Sequence, residues 1–133
     1  MRHAFSILLL AACATQPVAA QDARQGEELY LRYCATCHGL DATGYGPMRP
    51  VLTVQPIDLT RLTAENKGEF PLVRVIKRID GRDPLVSHGS PMPIYGELFE
   101  GQDISLKTEA GQPIMTSQPV ADLVAYITSL QVE

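Results

Sequence analysis

Apolar and polar positions divide the chain into helix-like stretches separated by irregular ones. Residues 23–35 contain few helix breakers, Asp22 and Gln25 make a capping-box-like start, and Leu29, Tyr30 and Tyr33 share one face. Residues 39–56 hold Gly39, Gly44, Gly46, Pro47, Pro50 and Pro56 without a period, which predicts a long loop. Loops of that length are usually functional, and Leu52, Val54 and Ile57 among few charges predict one packed against something. Asp58 is placed to cap a short helix reaching about Asn66, which Gly68 ends. From Pro71 onward, Leu72, Val75, Ile76 and Ile79 follow the i, i+3, i+4, i+7 spacing of a buried helical stripe that Gly81 stops. Arg74, Lys77 and Arg78 lie off that stripe. A second irregular stretch covers residues 82–101, and residues 104–107 and 113–116 around 109–112 predict a small hairpin. The final helix opens at Pro119, carries Asp122 in its first turn, and aligns Val120, Leu123, Val124, Ile127 and Leu130.

With 133 residues, 45% hydrophobic and 20% charged, the chain is expected to form one small globular domain. Its net charge of −4 argues against nucleic-acid binding, which needs a surplus of Lys and Arg to neutralise phosphates. The start matters more for the compartment. Basic Arg2 and His3, an apolar run over residues 4–14, and small residues at Val18 and Ala20 predict a cleaved secretory signal over residues 1–20. The domain then occupies residues 21–133 and is expected in the periplasm. A membrane span needs about 20 apolar residues, more than this run supplies. A second reading takes Leu10-Ala11-Ala12-Cys13 as a lipoprotein signal, which would tether the same domain to a membrane face through Cys13.

Cys34-Ala35-Thr36-Cys37-His38 has the C-x-x-C-H spacing of covalent c-type haem attachment. At the end of an amphipathic helix, thiols at i and i+3 project to one side, as addition to two haem vinyl groups requires, and the adjacent imidazole is positioned to ligate iron. Other uses of the cysteines fit less well. A redox C-x-x-C needs no histidine and belongs beside a βαβ pattern, and a zinc site needs about four ligands where no second Cys pair exists. One covalent haem c with its iron is therefore the expected cofactor.

The chain here resembles the class I c-type cytochromes of bacteria. The resemblance is carried by Gly26-Glu27-Glu28-Leu29-Tyr30, by Cys34 to Gly39, by Gly44-Tyr45-Gly46-Pro47, by Met92-Pro93-Ile94-Tyr95-Gly96, and by Asp122-Leu123-Val124-Ala125-Tyr126-Ile127. It implies an all-α class I cytochrome c fold in which the first and last helices cross at the haem edge, with long loops and a small hairpin added here. Gly26 would allow close helix approach, and Tyr30 and Tyr126 would supply aromatic bulk at the crossing.

The sixth iron ligand separates the possible functions. Met48, His88, Met92 and Met115 are the candidates after the haem motif. Met92 is the expected ligand, because Pro91 and Pro93 stiffen the loop that would hold its thioether, and Met-Pro-x-x-Gly is by resemblance the family's place for the axial methionine. Met48 and Met115 are expected to be packing residues. His88 would give bis-imidazole ligation and a lower reduction potential. By resemblance, Pro47 or Pro50 would offer the carbonyl that orients His38 through its Nδ1, and Arg49 or Tyr45 would meet a haem propionate.

His38/Met92 ligation leaves iron no open position, which suits electron transfer. The expected function is a periplasmic monohaem electron carrier, not an enzyme, serving redox protein partners such as a dehydrogenase, a quinol-oxidising complex or a terminal acceptor. Docking is expected to be small and weak at the haem edge, with Arg74, Lys77, Arg78 and Arg82 as a local basic rim. The alternatives are a haem subunit of a larger oxidoreductase or, without Met92 ligation, an open-site haem enzyme or gas sensor.

Overall fold

The structure, a computed structural model, describes residues 20–82 and 91–132. The predicted signal with Cys13, and His88, therefore lie outside the described residues, apart from Ala20. Helix α1 spans Ala23–Tyr33, and the Asp22 carboxylate caps it by accepting from the N–H groups of Arg24 at 2.9 Å and Gln25 at 3.3 Å. The sequence predicts an uninterrupted run to residue 35. Instead the backbone tightens at Cys34 and resumes as α2, Ala35–His38. Cys34 still donates to the Tyr30 carbonyl at 2.8 Å, but its own carbonyl accepts from both Cys37 at 3.1 Å and His38 at 2.9 Å. That shared acceptor marks a change of helical pitch.

Beyond His38 the chain runs as loop, with a 3-10 turn at Arg49–Val51. The helix expected after Asp58 is split into a 3-10 turn at Leu59–Arg61 and the short α3 at Leu62–Glu65. Asp58 does cap it, accepting from Thr60 N at 2.9 Å and Thr60 Oγ1 at 2.6 Å. Helix α4, Leu72–Asp80, buries Ile76 and Ile79 and half-buries Leu72 and Val75, so the predicted stripe is the one that faces inward. Strands β1, Asp103–Lys107, and β2, Pro113–Ser117, pair antiparallel with Leu106 opposite Ile114. Leu106 and Ile114 pack on the core while Asp103, Ser105 and Lys107 stay exposed. Helix α5, Gln118–Ser129, buries Val120, Leu123, Val124 and Ile127.

Helices α1, α4 and α5 supply most of the buried apolar core. Gly26 lies directly against the Asp122 backbone, where any Cβ would overlap the carbonyl oxygen, so only glycine permits this approach. The Tyr30 and Tyr126 rings meet at 5.3 Å between centroids with a 50° tilt. Asp122 departs from the expectation of a simple dipole-favouring first-turn acid. It is buried, accepting from the Asp22 N–H at 2.8 Å and from Gln118 Nε2 at 2.7 Å. The start of α1 is thus tied to α5 by a carboxylate from the far end of the chain. Among the described residues no helix is long and apolar enough to cross a membrane.

Candidate haem-binding site

Cys34 and Cys37 are half-buried, free thiols, set one helical turn apart by the pitch change at the α1–α2 junction. Burial, with the neighbouring Cys37, pushes the Cys34 thiol up to about 12, so it is protonated at neutral pH. Burial lowers the pKa of His38 from its ordinary value, partly offset by the Ile57 carbonyl, and its imidazole is neutral at pH 7. The loop after His38 folds back on α2. Gly46 N–H donates to the Cys37 carbonyl at 3.1 Å and Met48 N–H to the Thr36 carbonyl at 3.0 Å.

His38 Nδ1 faces the Ile57 carbonyl at 3.3 Å. The expectation of a Pro47 or Pro50 carbonyl is therefore corrected. The turn at Arg49–Val51 and the return of the chain along residues 56–59 bring Ile57, nineteen residues from His38, to the ring. Nδ1 serving the carbonyl leaves Nε2 as the nitrogen available to a metal.

The second segment, residues 91–99, is fixed by aromatic packing. Tyr95 N–H donates to the Ile79 carbonyl at 2.8 Å, and its hydroxyl donates to the Tyr33 carbonyl at 3.0 Å. Tyr95 stacks on Phe99 at 5.3 Å and 17°, and Tyr33 meets Phe99 edge-on at 5.3 Å and 78°. Because Tyr33 directly precedes Cys34, the bond from the Tyr95 hydroxyl sets this segment against the start of the C-x-x-C-H turn, and burial, with Cys34 and Cys37, raises the pKa of the Tyr95 phenol. Met92 is half-buried and packs on the same core.

A family model for cytochrome c matches residues 23–131. The chain belongs to the cytochrome c family. No curated protein and no solved structure matches it. Membership brings covalently bound haem c with its iron, and haem-based electron transfer.

The residues present in this cytochrome fit that group. Two free thiols and a neutral imidazole with one nitrogen engaged on the Ile57 carbonyl form the donor set, and the chain segments that follow His38 and Met92 carry exposed apolar side chains: Leu40 is 77% exposed and Val51 71%, and Val54, Ile57, Ile94 and Leu98 are exposed as well. Met48 is 41% exposed and Met115 51%, so each is about half covered and neither belongs to the buried core. Met115 lines a cleft with Asp80, Phe99, Thr116 and Val120 that includes none of Cys34, Cys37, His38 or Met92. The Arg49 guanidinium is directed at its own loop, donating to the Gly44 carbonyl at 2.9 Å and lying 4.0 Å from the Tyr45 ring centroid. Arg82 is paired with Asp80 through Nε at 2.6 Å and donates to the Met115 carbonyl at 2.9 Å, rather than standing as a free member of a basic rim.

Sequence reasoning did not name the Ile57 carbonyl, nor the cluster of Tyr33, Tyr95 and Phe99. The cluster had a signal, since one ring directly precedes Cys34 and another follows Met92 by three positions. The carbonyl had none, because every residue has one.

Proposed function

We propose that this cytochrome is a periplasmic, monohaem carrier of single electrons, exported by the segment 1–20 and released by cleavage after Ala20. Bound haem supplies a one-electron iron couple. Cys34 and Cys37 hold it by thioether bonds, and His38, oriented through its Nδ1, ligates the iron through Nε2. Met92 would supply the second iron ligand from a segment that carries Pro91 and Pro93 and is held by the Tyr95 contacts. Helices α1 and α5 cross beside the haem edge, where Gly26 gives the close approach. The observation that supports the reading most directly is the Tyr95 hydroxyl donating to the Tyr33 carbonyl at 3.0 Å, since Tyr33 directly precedes Cys34 and Tyr95 lies three residues after Met92.

Two soft or neutral axial donors leave no position for substrate and change little with oxidation state, which suits electron carriage over catalysis. Its partners are redox proteins that dock over a small area. The ferric absorption spectrum of the holoprotein, recorded into the far red beside Met92→Ala, tests this. A weak methionine-to-iron charge-transfer band in the wild type that the variant loses is the expected result. A high-spin or bis-imidazole wild-type spectrum would overturn Met92 ligation and favour an open site or His88.

A further inference from the structure

Arg49 is half-buried and turned onto the loop that underlies His38. Its guanidinium stacks on Tyr45 and donates to the Gly44 carbonyl. Gly44 is a junction in that loop. Its N–H donates to the His38 carbonyl at 2.7 Å, its φ is +88°, and its backbone lies against residues 56 and 57. A Cβ at Gly44 would overlap the Pro56 carbonyl oxygen and come within 3.2 Å of that of Ile57. The Ile57 carbonyl is the one His38 Nδ1 meets. Burial does not hold Ile57, whose side chain is 59% exposed. The chain is anchored two residues beyond it by Leu59 N–H on the Ala42 carbonyl at 2.8 Å, and the Pro56 and Ile57 carbonyls pack close against the Gly44 backbone.

We propose that Arg49, clamped on Tyr45, is a positioning residue for the iron-ligating histidine: it holds Gly44, Gly44 holds the Ile57 carbonyl, and that carbonyl sets the Nδ1 hydrogen bond and with it the reduction potential of the bound haem. A tight Nδ1–H···O bond makes the imidazole more basic and stabilises ferric iron. Loosening it therefore raises the potential. A through-space effect of the Arg49 charge has the opposite sign, because deleting a cation favours the ferric state. The direction of the change distinguishes the two.

The inference rests on His38 ligating iron, as proposed above, so the wild-type holoprotein must first show its low-spin spectrum; failure there removes that reading before any Arg49 variant is made. The potential and the solvent exchange of the His38 Nδ1–H, followed by NMR in the ferrous protein, are then measured for Arg49→Ala, Tyr45→Ala and Tyr45→Phe. Arg49→Ala and Tyr45→Ala are expected to speed Nδ1–H exchange. They should also shift the oxidised-to-reduced ratio at fixed ambient potential by about tenfold toward reduced, which is about 59 mV for one electron. Tyr45→Phe, which keeps the ring, should match the wild type. Unchanged exchange in both alanine variants, a lowered potential in Arg49→Ala, or a Tyr45→Phe effect equal to that of Tyr45→Ala would each overturn the proposal. Should Arg49→Ala not yield folded holoprotein, Tyr45→Ala decides alone, since it leaves the charge in place.

Discussion

The two segments that face the C-x-x-C-H turn are built on different physical grounds. On the His38 side, residues 39–57 have little regular structure and many exposed apolar side chains, and the path is set by backbone groups: Gly44 on His38, Gly46 on Cys37, Met48 on Thr36. On the Met92 side, residues 91–99 are anchored chiefly through aromatic side chains, with Tyr95, Phe99 and Tyr33 in mutual contact and Tyr95 bonded to the Tyr33 and Ile79 carbonyls. Hydrogen bonds are directional and fix an orientation; aromatic packing is broad and fixes a distance. An imidazole needs its ring plane controlled, whereas a thioether on a flexible side chain needs only to be brought near.

That contrast predicts graded and separable responses. The largest is expected for Phe99→Ala, which empties a buried ring site and should cost about 3–5 kcal/mol in denaturant unfolding of the holoprotein. It should also weaken the far-red methionine band while leaving His38 Nδ1–H exchange near wild type. A variant that instead speeds that exchange would show the two sides to be one unit. Tyr30→Phe is expected to be intermediate. The Tyr30 hydroxyl donates to the Gly39 carbonyl at 2.6 Å inside the core, and its loss, which leaves that carbonyl only the longer bond from the Ala42 N–H at 3.3 Å, should cost about 0.5–1.5 kcal/mol. Here the histidine side should respond, with faster Nδ1–H exchange and an unaltered methionine band. The smallest effect belongs to Ile57→Ala, because the residue acts through its carbonyl and its side chain is exposed. Unfolding and potential should both stay within about 0.5 kcal/mol of wild type. A large change would mean that the side chain, not the backbone, governs this position.

The same contrast explains what the sequence disclosed. Side-chain logic was legible: the Asp22 cap, the α4 stripe ending at Gly81, the hairpin around residues 109–112, the apolar face of α5, and Cys34-Ala35-Thr36-Cys37-His38 all announce themselves by residue type and spacing. Gly26 too was readable as a place of close approach, and the structure puts it on Asp122. Backbone logic was not. Which carbonyl meets His38 depends on the path of nineteen intervening residues, and nothing in Pro47, Pro50 or Ile57 as residue types encodes it. The break at Cys34 escaped notice because no Gly or Pro marks it across residues 33–35, whereas a shift from i−4 to i−3 bonding is a matter of tertiary fit. Asp122 reads locally as an acid favouring its own helix start. Its partner, the Asp22 N–H, lies 100 residues away.

That last bond has a temporal meaning. Joining residues 22 and 122 closes a loop of 100 residues out of 133, an ordering step whose loop entropy alone amounts to about 4 kcal/mol. Contacts of such long range form slowly. On a chain made from its N-terminus, residues 34–38 are complete long before α5 exists to seal α1. For that interval the two thiols belong to an unclosed chain, and only the arrival of the last helix locks the segment that carries them.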